Sequence, residues 1–260
     1  MDLRWLRAPD LKEIEREEKK TRHFARGLNY YKLFWVFFIG CFLGVVIETI
    51  WCIVTRGHYE SRVGLIYGPF NLVYGFGALS LCVGLYWLRG KRDSLILLGG
   101  ALLGSVVEYI CSWVQEVMFG STSWDYSAMP FNLNGRINLL YSLFWGILAI
   151  AWVKDVYPRL AGLILKIPNK IGKPLTWLLT LFMLFNAAMS AVAVERWVER
   201  TRSIAPATAL GSYMDEHYPD ERMQRIYANS SSKKGAARRA MWHGGPPLFG
   251  EFGPCNRVLC

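Results

Sequence analysis

Long apolar runs alternate with short polar segments along most of this chain. Runs of span length cover Leu33–Val54, Phe70–Leu88, Leu95–Phe119, Ile137–Val153 and Leu175–Val194. At 1.5 Å per residue each one crosses, or nearly crosses, a hydrocarbon core of roughly 30 Å. Five such runs are hard to hide in one soluble core. The pattern predicts an all-α, polytopic helical membrane protein with about five transmembrane helices over residues 32–195. Residues 1–31 mix acids and bases three or four positions apart and are expected to be a solvated, helical, cytoplasmic lead-in. Residues 196–228 form a hydrophilic C-terminal element, and residues 229–260 read as a low-complexity, disordered tail.

The apolar pattern also repeats. FIGCFLGVVIETI, from Phe38, aligns with LGGALLGSVVEYI, from Leu98, sixty positions later. Gly40, Gly44 and Glu48 thus recur as Gly100, Gly104 and Glu108, and each triplet lies on one helix face. Pro69-Phe70-Asn71-Leu72, opening the second run, reappears as Pro130-Phe131-Asn132-Leu133 ahead of the fourth. Two parallel two-span repeats are expected, related by a pseudo-two-fold axis along the membrane normal. In that arrangement the glycine faces of spans one and three approach each other and Glu48 and Glu108 face one interior.

An ionisable group inside a span costs about 3 kcal/mol or more when nothing offsets it. Two readings of the glutamates stay open: an ion pair that fixes the fold, or a site for a ligand, ion or proton. Arg62 and Arg136, just beyond the outer ends of spans two and four, are the candidate ion-pair partners. The densest polar stretch is Gly104–Gly146, which holds Trp124-Asp125-Tyr126-Ser127 and the run from Pro130 to Arg136. The polar lining of a substrate or ion cavity is expected from Glu48, Glu108, Asp125, Asn132 and Arg136, with Tyr74 and Trp124 as amphipathic walls.

The net charge of +10 changes this picture only through its distribution. Residues 1–32 carry 9 Lys and Arg, and the second and fourth connections are also basic, while the third has only Arg136. The N-terminus is therefore expected in the cytoplasm, and five spans put the C-terminus outside. A nucleic-acid partner is not needed to explain the charge. The first apolar run follows about thirty residues rich in charge and is long enough to remain in the bilayer, so no cleaved leader is expected. The six cysteines show no metal spacing, and no metal or other cofactor is expected. His23, His58, His217 and His243 are scattered outside the spans and are expected to be solvated. No phosphate-cradling GxxxxGK[ST], HExxH or GxSxG motif is present, so neither ATP hydrolysis nor another catalytic activity is expected of this chain itself.

The order Glu48, Arg62, Tyr67-Gly68-Pro69, Tyr74-Gly75-Phe76-Gly77, then Glu108-Tyr109, Trp124-Asp125-Tyr126-Ser127, Phe131-Asn132, Asn134-Gly135-Arg136-Ile137, Ser142 and Trp145-Gly146 resembles bacterial CmpB-like membrane proteins, the ABC-transporter type IV permeases. The resemblance covers roughly residues 33–228, including Tyr218-Pro219-Asp220-Glu221-Arg222. Two departures are Asn71-Leu72-Val73, where the family tends to have Cys-Pro, and Asn138, where it tends to have Cys. The resemblance implies a multi-pass protein of the bacterial cell membrane that transports a small solute or ion, together with a separate ATP-binding subunit. That subunit would dock on Arg89–Ser94 and Lys154–Lys173, and a homo-oligomer is also compatible. The alternative functions are a membrane enzyme using Glu108 and Asp125 on a lipid or cell-wall precursor, and a non-transporting scaffold of the cell envelope.

Overall fold

The computed structural model describes residues 9–119 and 125–227. Trp124 and the tail, with its Asn229 glycosylation sequon and Cys255 and Cys260, lie outside the described residues. The fold is all-α apart from one two-residue hairpin. Among the described residues, four helical stretches are long and apolar enough to cross a membrane: Tyr30–Thr55, Asp93–Val114, Leu139–Leu165 and Asn169–Thr201. A shorter apolar helix covers Leu72–Gly84. The chain is thus a polytopic helical membrane protein, and the many outward Leu, Ile, Phe and Trp side chains of its spans suit a lipid environment. Two compact units divide it. One comprises residues 9–37, 77–119 and 125–176, the other residues 38–76 and 177–227.

In the first unit, helix α1 (Leu11–Lys20) starts at Asp10, whose carboxylate accepts the Lys12 amide at 2.9 Å. Its Ile14 and Glu18, four residues apart, are buried on one face. Helix α2 (Tyr30–Arg56) begins here, capped by the Asn29 carboxamide accepting the Lys32 amide at 2.9 Å. Glu18 forms a buried ion pair with Lys32 of that first turn. The linker between them is docked rather than solvated. His23, expected in solvent, is 4% exposed, with Nε2 2.9 Å from the Ile167 carbonyl oxygen and Nδ1 accepting the Ala25 amide at 3.3 Å. Both ring nitrogens of His23 are thus engaged by main chain. The charge pattern made residues 1–31 look like a solvated lead-in because burial of alternate faces by distant residues leaves no mark on local charge spacing.

Helix α3 (Leu72–Gly84) is shorter than the run expected over Phe70–Leu88. A single tight turn, Tyr86–Leu88, follows it. Helix α4 (Asp93–Phe119) then packs closely on α5 (Leu139–Ala151). A Cβ added at Gly100 would sit 2.1 Å from the Ala149 Cβ and 3.2 Å from the Trp145 carbonyl oxygen. At Gly104 it would sit 2.1 Å from the Trp145 indole. The glycine stripe of α4 therefore serves the close approach of its own hairpin partner, where the sequence reading placed another glycine face. Gly100→Val is expected to destabilise by about 1–3 kcal/mol, because the opposing atoms include backbone that cannot swing away. A thermal melt in detergent checks this, with Gly90→Val, an exposed turn glycine, as a left-handed-backbone comparison.

Beyond α5 the helix widens through one π turn at Trp152–Val156 and continues as α6 (Tyr157–Leu165). Pro158 explains the widening: it donates no hydrogen bond, and its ring crowds the carbonyl four residues earlier. The helix does not end with the apolar run at Val153 but runs on through Tyr157-Pro158 to Leu165. Helix α1 rests on α6, with Ile14 3.7 Å from a Cβ position at Gly162. The N-terminal segment and the second and fourth connections gather at this end of the unit. Arg89 lies 3.8 Å from Glu15 and stacks over Tyr157 and Tyr86, and Lys154 pairs with Asp93 at 2.6 Å.

The second unit holds the rest of α2, the connection over residues 57–71, and helix α7 (Asn169–Thr201) beyond Thr176. Gly68, at φ +77°, turns the chain so that the Phe70 carbonyl accepts the Gly64 and Leu65 amides. The small polar face of α7 reads main chain here. Asn186 accepts the Tyr67 amide at 3.1 Å and donates to the Tyr67 carbonyl at 2.6 Å, and Ser190 accepts the Ile66 amide at 2.9 Å. Inside a membrane such backbone groups must find partners, and these two side chains supply them.

Helices α8 (Ala209–His217) and α9 (Asp220–Ile226) follow α7 and pack Met214, Tyr218 and Met223 against Ala193 and Trp197. The Ser61 hydroxyl donates to the Ile226 carbonyl at 2.9 Å, so this element is docked on the first connection. Arg196 and Arg200 grip Asp215, the former at 2.6 Å, and hold its carboxyl below the ordinary aspartate range. A depressed carboxyl contributes stability that is present above its unfolded value, about 3.9, and lost as pH falls through the folded value. Amide-exchange protection over Ala209–Ile226 is expected to drop below about pH 4, and Asp215→Asn to show the low protection at every pH.

Candidate functional site

The third connection is built by its own polar side chains. The Asp125 carboxylate accepts the Ser127 amide at 2.8 Å and the Ser127 hydroxyl at 2.6 Å, which pulls its carboxyl below the usual range. Strands β1 (Asn132–Leu133) and β2 (Ile137–Asn138) pair antiparallel, Asn132 opposite Asn138. Asn132 donates to the Met129 carbonyl at 2.7 Å and accepts the Gly135 amide at 3.0 Å. Asn134 and Gly135 are both left-handed, at φ +53° and +66°. A side chain at Gly135 would strike the Ser127 hydroxyl and the Asp125 carboxylate within 2.6 Å. Asn138 then caps α5, accepting the Leu140 amide at 2.9 Å and donating to the Pro130 carbonyl at 2.6 Å.

This folded loop aims one side chain back at the span. Tyr126 is 4% exposed, stacks on Tyr141 at 4.8 Å, and donates its hydroxyl to Glu108 Oε1 at 2.8 Å. The other carboxylate oxygen, Oε2, accepts the Trp145 indole N–H at 3.3 Å. Burial, and then the bond to Glu108, push the Tyr126 phenol above its ordinary range. Glu108 is thus held between the loop and α5 by two neutral donors. Arg136 is one helical turn further out: it pairs with Glu116 and donates to Ser112 Oγ at 3.3 Å, with the Tyr109 ring 5.6 Å away.

Glu48 has a different setting. Arg62, its side chain 1% exposed, lies 3.4 Å from Glu48 Oε1 and 3.1 Å from Glu60 Oε2. The Cys52 sulfur, one turn along α2 from Glu48, accepts from the same guanidinium at 3.4 Å. Asn71 accepts the Val73 amide at 3.0 Å to cap α3, and donates to the Arg62 carbonyl at 3.0 Å. Tyr74 packs on α2 where Gly44 leaves room, a Cβ there being 2.3 Å from its ring.

Of the expected lining residues, Asp125 and Asn132 fold the loop, Arg136 pairs with Glu116, and Tyr74 fills a helix contact. Tyr126 and Trp145, which touch Glu108, and Glu60 and Cys52, which touch Arg62, were not singled out from sequence. The capping roles also pair differently from the spelling: Asn71 corresponds in its bonds to Asn138, in Asn-Leu-Val-Tyr and Asn-Leu-Leu-Tyr, rather than to the Asn132 of the PFNL match. Only the four-residue frame with its tyrosine could have signalled that. Among the described residues, no group of three His, Cys, Asp or Glu is placed to hold a metal ion.

These features define a multi-pass, all-α membrane protein that keeps a carboxylate in two of its spans, one ion-paired and one hydrogen-bonded. The chain belongs to the CmpB family, described as "Putative ABC-transporter type IV", whose sequence profile matches residues 35–191. The match takes in all or most of each of the five apolar helices and leaves α1, α8 and α9 outside it. No curated protein and no solved structure matches the chain.

Proposed function

We propose that this chain is the permease-like membrane subunit of an ABC-type transporter, handling a small solute or ion through polar groups of its two helical hairpins. Family membership supports the transporter class. The observation that carries the site is the pair of carboxylates, Glu48 and Glu108, each kept inside a span and each gripped by the connection that follows it. Lipid-facing charges are avoided in membrane proteins, and interior ones mark pathways for substrates, ions and protons. The two hairpins act as parallel repeats, each contributing one of the carboxylates.

The end that gathers α1, Arg89, Asp93 and Lys154 is the docking face for a separate ATP-binding subunit. Its excess of Lys and Arg supports a position on the cytoplasmic side of a bacterial cell membrane. Because α1 covers α6, the partner meets the charged outer face of α1 together with the Lys154–Asp93 pair. Purification from native membranes in mild detergent, followed by mass spectrometry, tests the proposal. An ATP-binding subunit in fixed ratio, with ATPase activity that Glu108→Gln alters, is the expected result. A purified chain that carries no such subunit, and turns over an amphiphilic substrate alone, would replace this proposal with the membrane-enzyme reading.

A further inference from the structure

Resting on that reading, we infer that the two span carboxylates divide their labour: Glu108 is the reversible proton-binding group of the transport site, and Glu48 is a fixed anchor. The difference lies in what faces each one. Arg62 meets Glu48 with a full positive charge, and an arginine does not give up its proton in a protein. Protonating Glu48 would weaken one of the two carboxylate contacts, to Glu48 and to Glu60, that balance that buried guanidinium. Among the described residues, no cation is seen in contact with Glu108. Helix α5 carries no charged residue along Leu139–Ala151 and offers the Trp145 indole and the Tyr141 ring. The third connection offers the Tyr126 hydroxyl, while its Asp125 bonds Ser127 and its Arg136 bonds Glu116. On α4 itself the nearest titratable groups are Tyr109 and Cys111, and Glu116 is taken by Arg136.

The geometry accepts either protonation state without moving a helix. In the ionised form Oε1 accepts from Tyr126 and Oε2 from Trp145. When a proton arrives from the aqueous phase on the loop side, a new O–H bond forms at Oε1. The Tyr126 hydroxyl then turns from donor to acceptor of that proton, which a phenol does by rotating one bond. The Trp145 N–H, a donor only, keeps Oε2 as its acceptor throughout. Loss of the proton to water reverses each step, so charge and atoms balance with water alone. At Glu48 the Arg62 guanidinium offers no such exchange, because it can only donate.

Infrared difference spectroscopy of the protein in lipid, recorded as pH is stepped over the range where it stays folded, reads this directly. A carboxylic-acid carbonyl band should grow as pH falls. It should persist in Glu48→Gln, be lost in Glu108→Gln, and shift in frequency in Tyr126→Phe, which removes the hydroxyl but keeps the ring. The Tyr126→Phe shift keeps the test decisive should Glu108→Gln fail to fold. A band that survives Glu108→Gln and vanishes in Glu48→Gln, or is unmoved by Tyr126→Phe, overturns the assignment. Transport and ATPase measurements are separate readouts. A Glu108 band in a protein that has no ATP-binding partner would sink the proposed function and leave the proton site standing.

Discussion

Arg62→Met is expected to cost about 3–5 kcal/mol of stability, the usual penalty for removing one side of a buried ion pair. That is a large fraction of the roughly 5–15 kcal/mol by which a folded domain exceeds its unfolded chain. The guanidinium lies within 3.4 Å of Glu48, Glu60 and Cys52, and its own carbonyl receives the Asn71 cap of α3. Removing it takes from two carboxylates the cation they share, at a place where solvent reaches the arginine hardly at all. Arg62→Lys should recover only part of the loss, since one ammonium cannot present a planar fork to two acids. Adding Glu48→Gln to Arg62→Met should also restore some stability, because it removes one of the charges the arginine had offset. Thermal unfolding in detergent, read by fluorescence-detected size exclusion, ranks the four proteins. An Arg62→Met protein that melts with its parent would show that the ion pair does not hold this hairpin together.

Much of this could be read before any coordinates. Each of the five apolar runs marked a helix, because the bilayer permits no other use for them, but not its ends: the fourth runs on to Leu165 and the second is shorter than its run. The two glutamates stood out because a charge in an apolar run demands an explanation. Their partners did not. Tyr126 reaches Glu108 only after the loop from Asp125 to Asn138 has folded on its own asparagines, and Trp145 lies a hairpin away from it. Neither contact has a fixed spacing in sequence. The glycine stripes were legible as close-packing faces but not as to what they pack on, since a missing side chain names no partner. Asp125 and Asn132 looked like lining residues because polar side chains near a membrane surface suggest binding. Their hydrogen bonds to Ser127, Met129 and Gly135 show the other use of the same chemistry, satisfying the backbone of a tight loop.

The N-terminal segment was the least legible part, and it yields the second large effect. Lys32→Met is expected to cost about 3–5 kcal/mol, because it leaves Glu18 buried beside a methyl group. Were residues 1–31 a solvated lead-in, the same change would fall within about 0.5 kcal/mol of neutral, as surface substitutions do. The two predictions differ by enough to be separated in a single melt. Glu18 also accepts the Gly27 amide at 3.1 Å through its second oxygen. Replacing both partners, as Glu18→Leu with Lys32→Met, should therefore regain only part of the loss: the charge problem is removed, but the Gly27 amide is stranded, at about 1–3 kcal/mol. Limited proteolysis gives the spatial half of the test. Cleavage between Thr21 and Asn29 should be slow in the parent, where His23 bonds Ile167 and Phe24 sits against Gly172, and fast in Lys32→Met. Slow cleavage in both would mean that the His23 and Phe24 contacts, with the Asn169 carboxamide accepting the Phe24 amide at 2.8 Å, pin the segment, and that the ion pair adds nothing to its docking. Fast cleavage with an unchanged melting temperature of the spans would instead show that α1 undocks as a separate piece. The face offered to a partner subunit would then be α6 itself, bared when the N-terminal helix lets go.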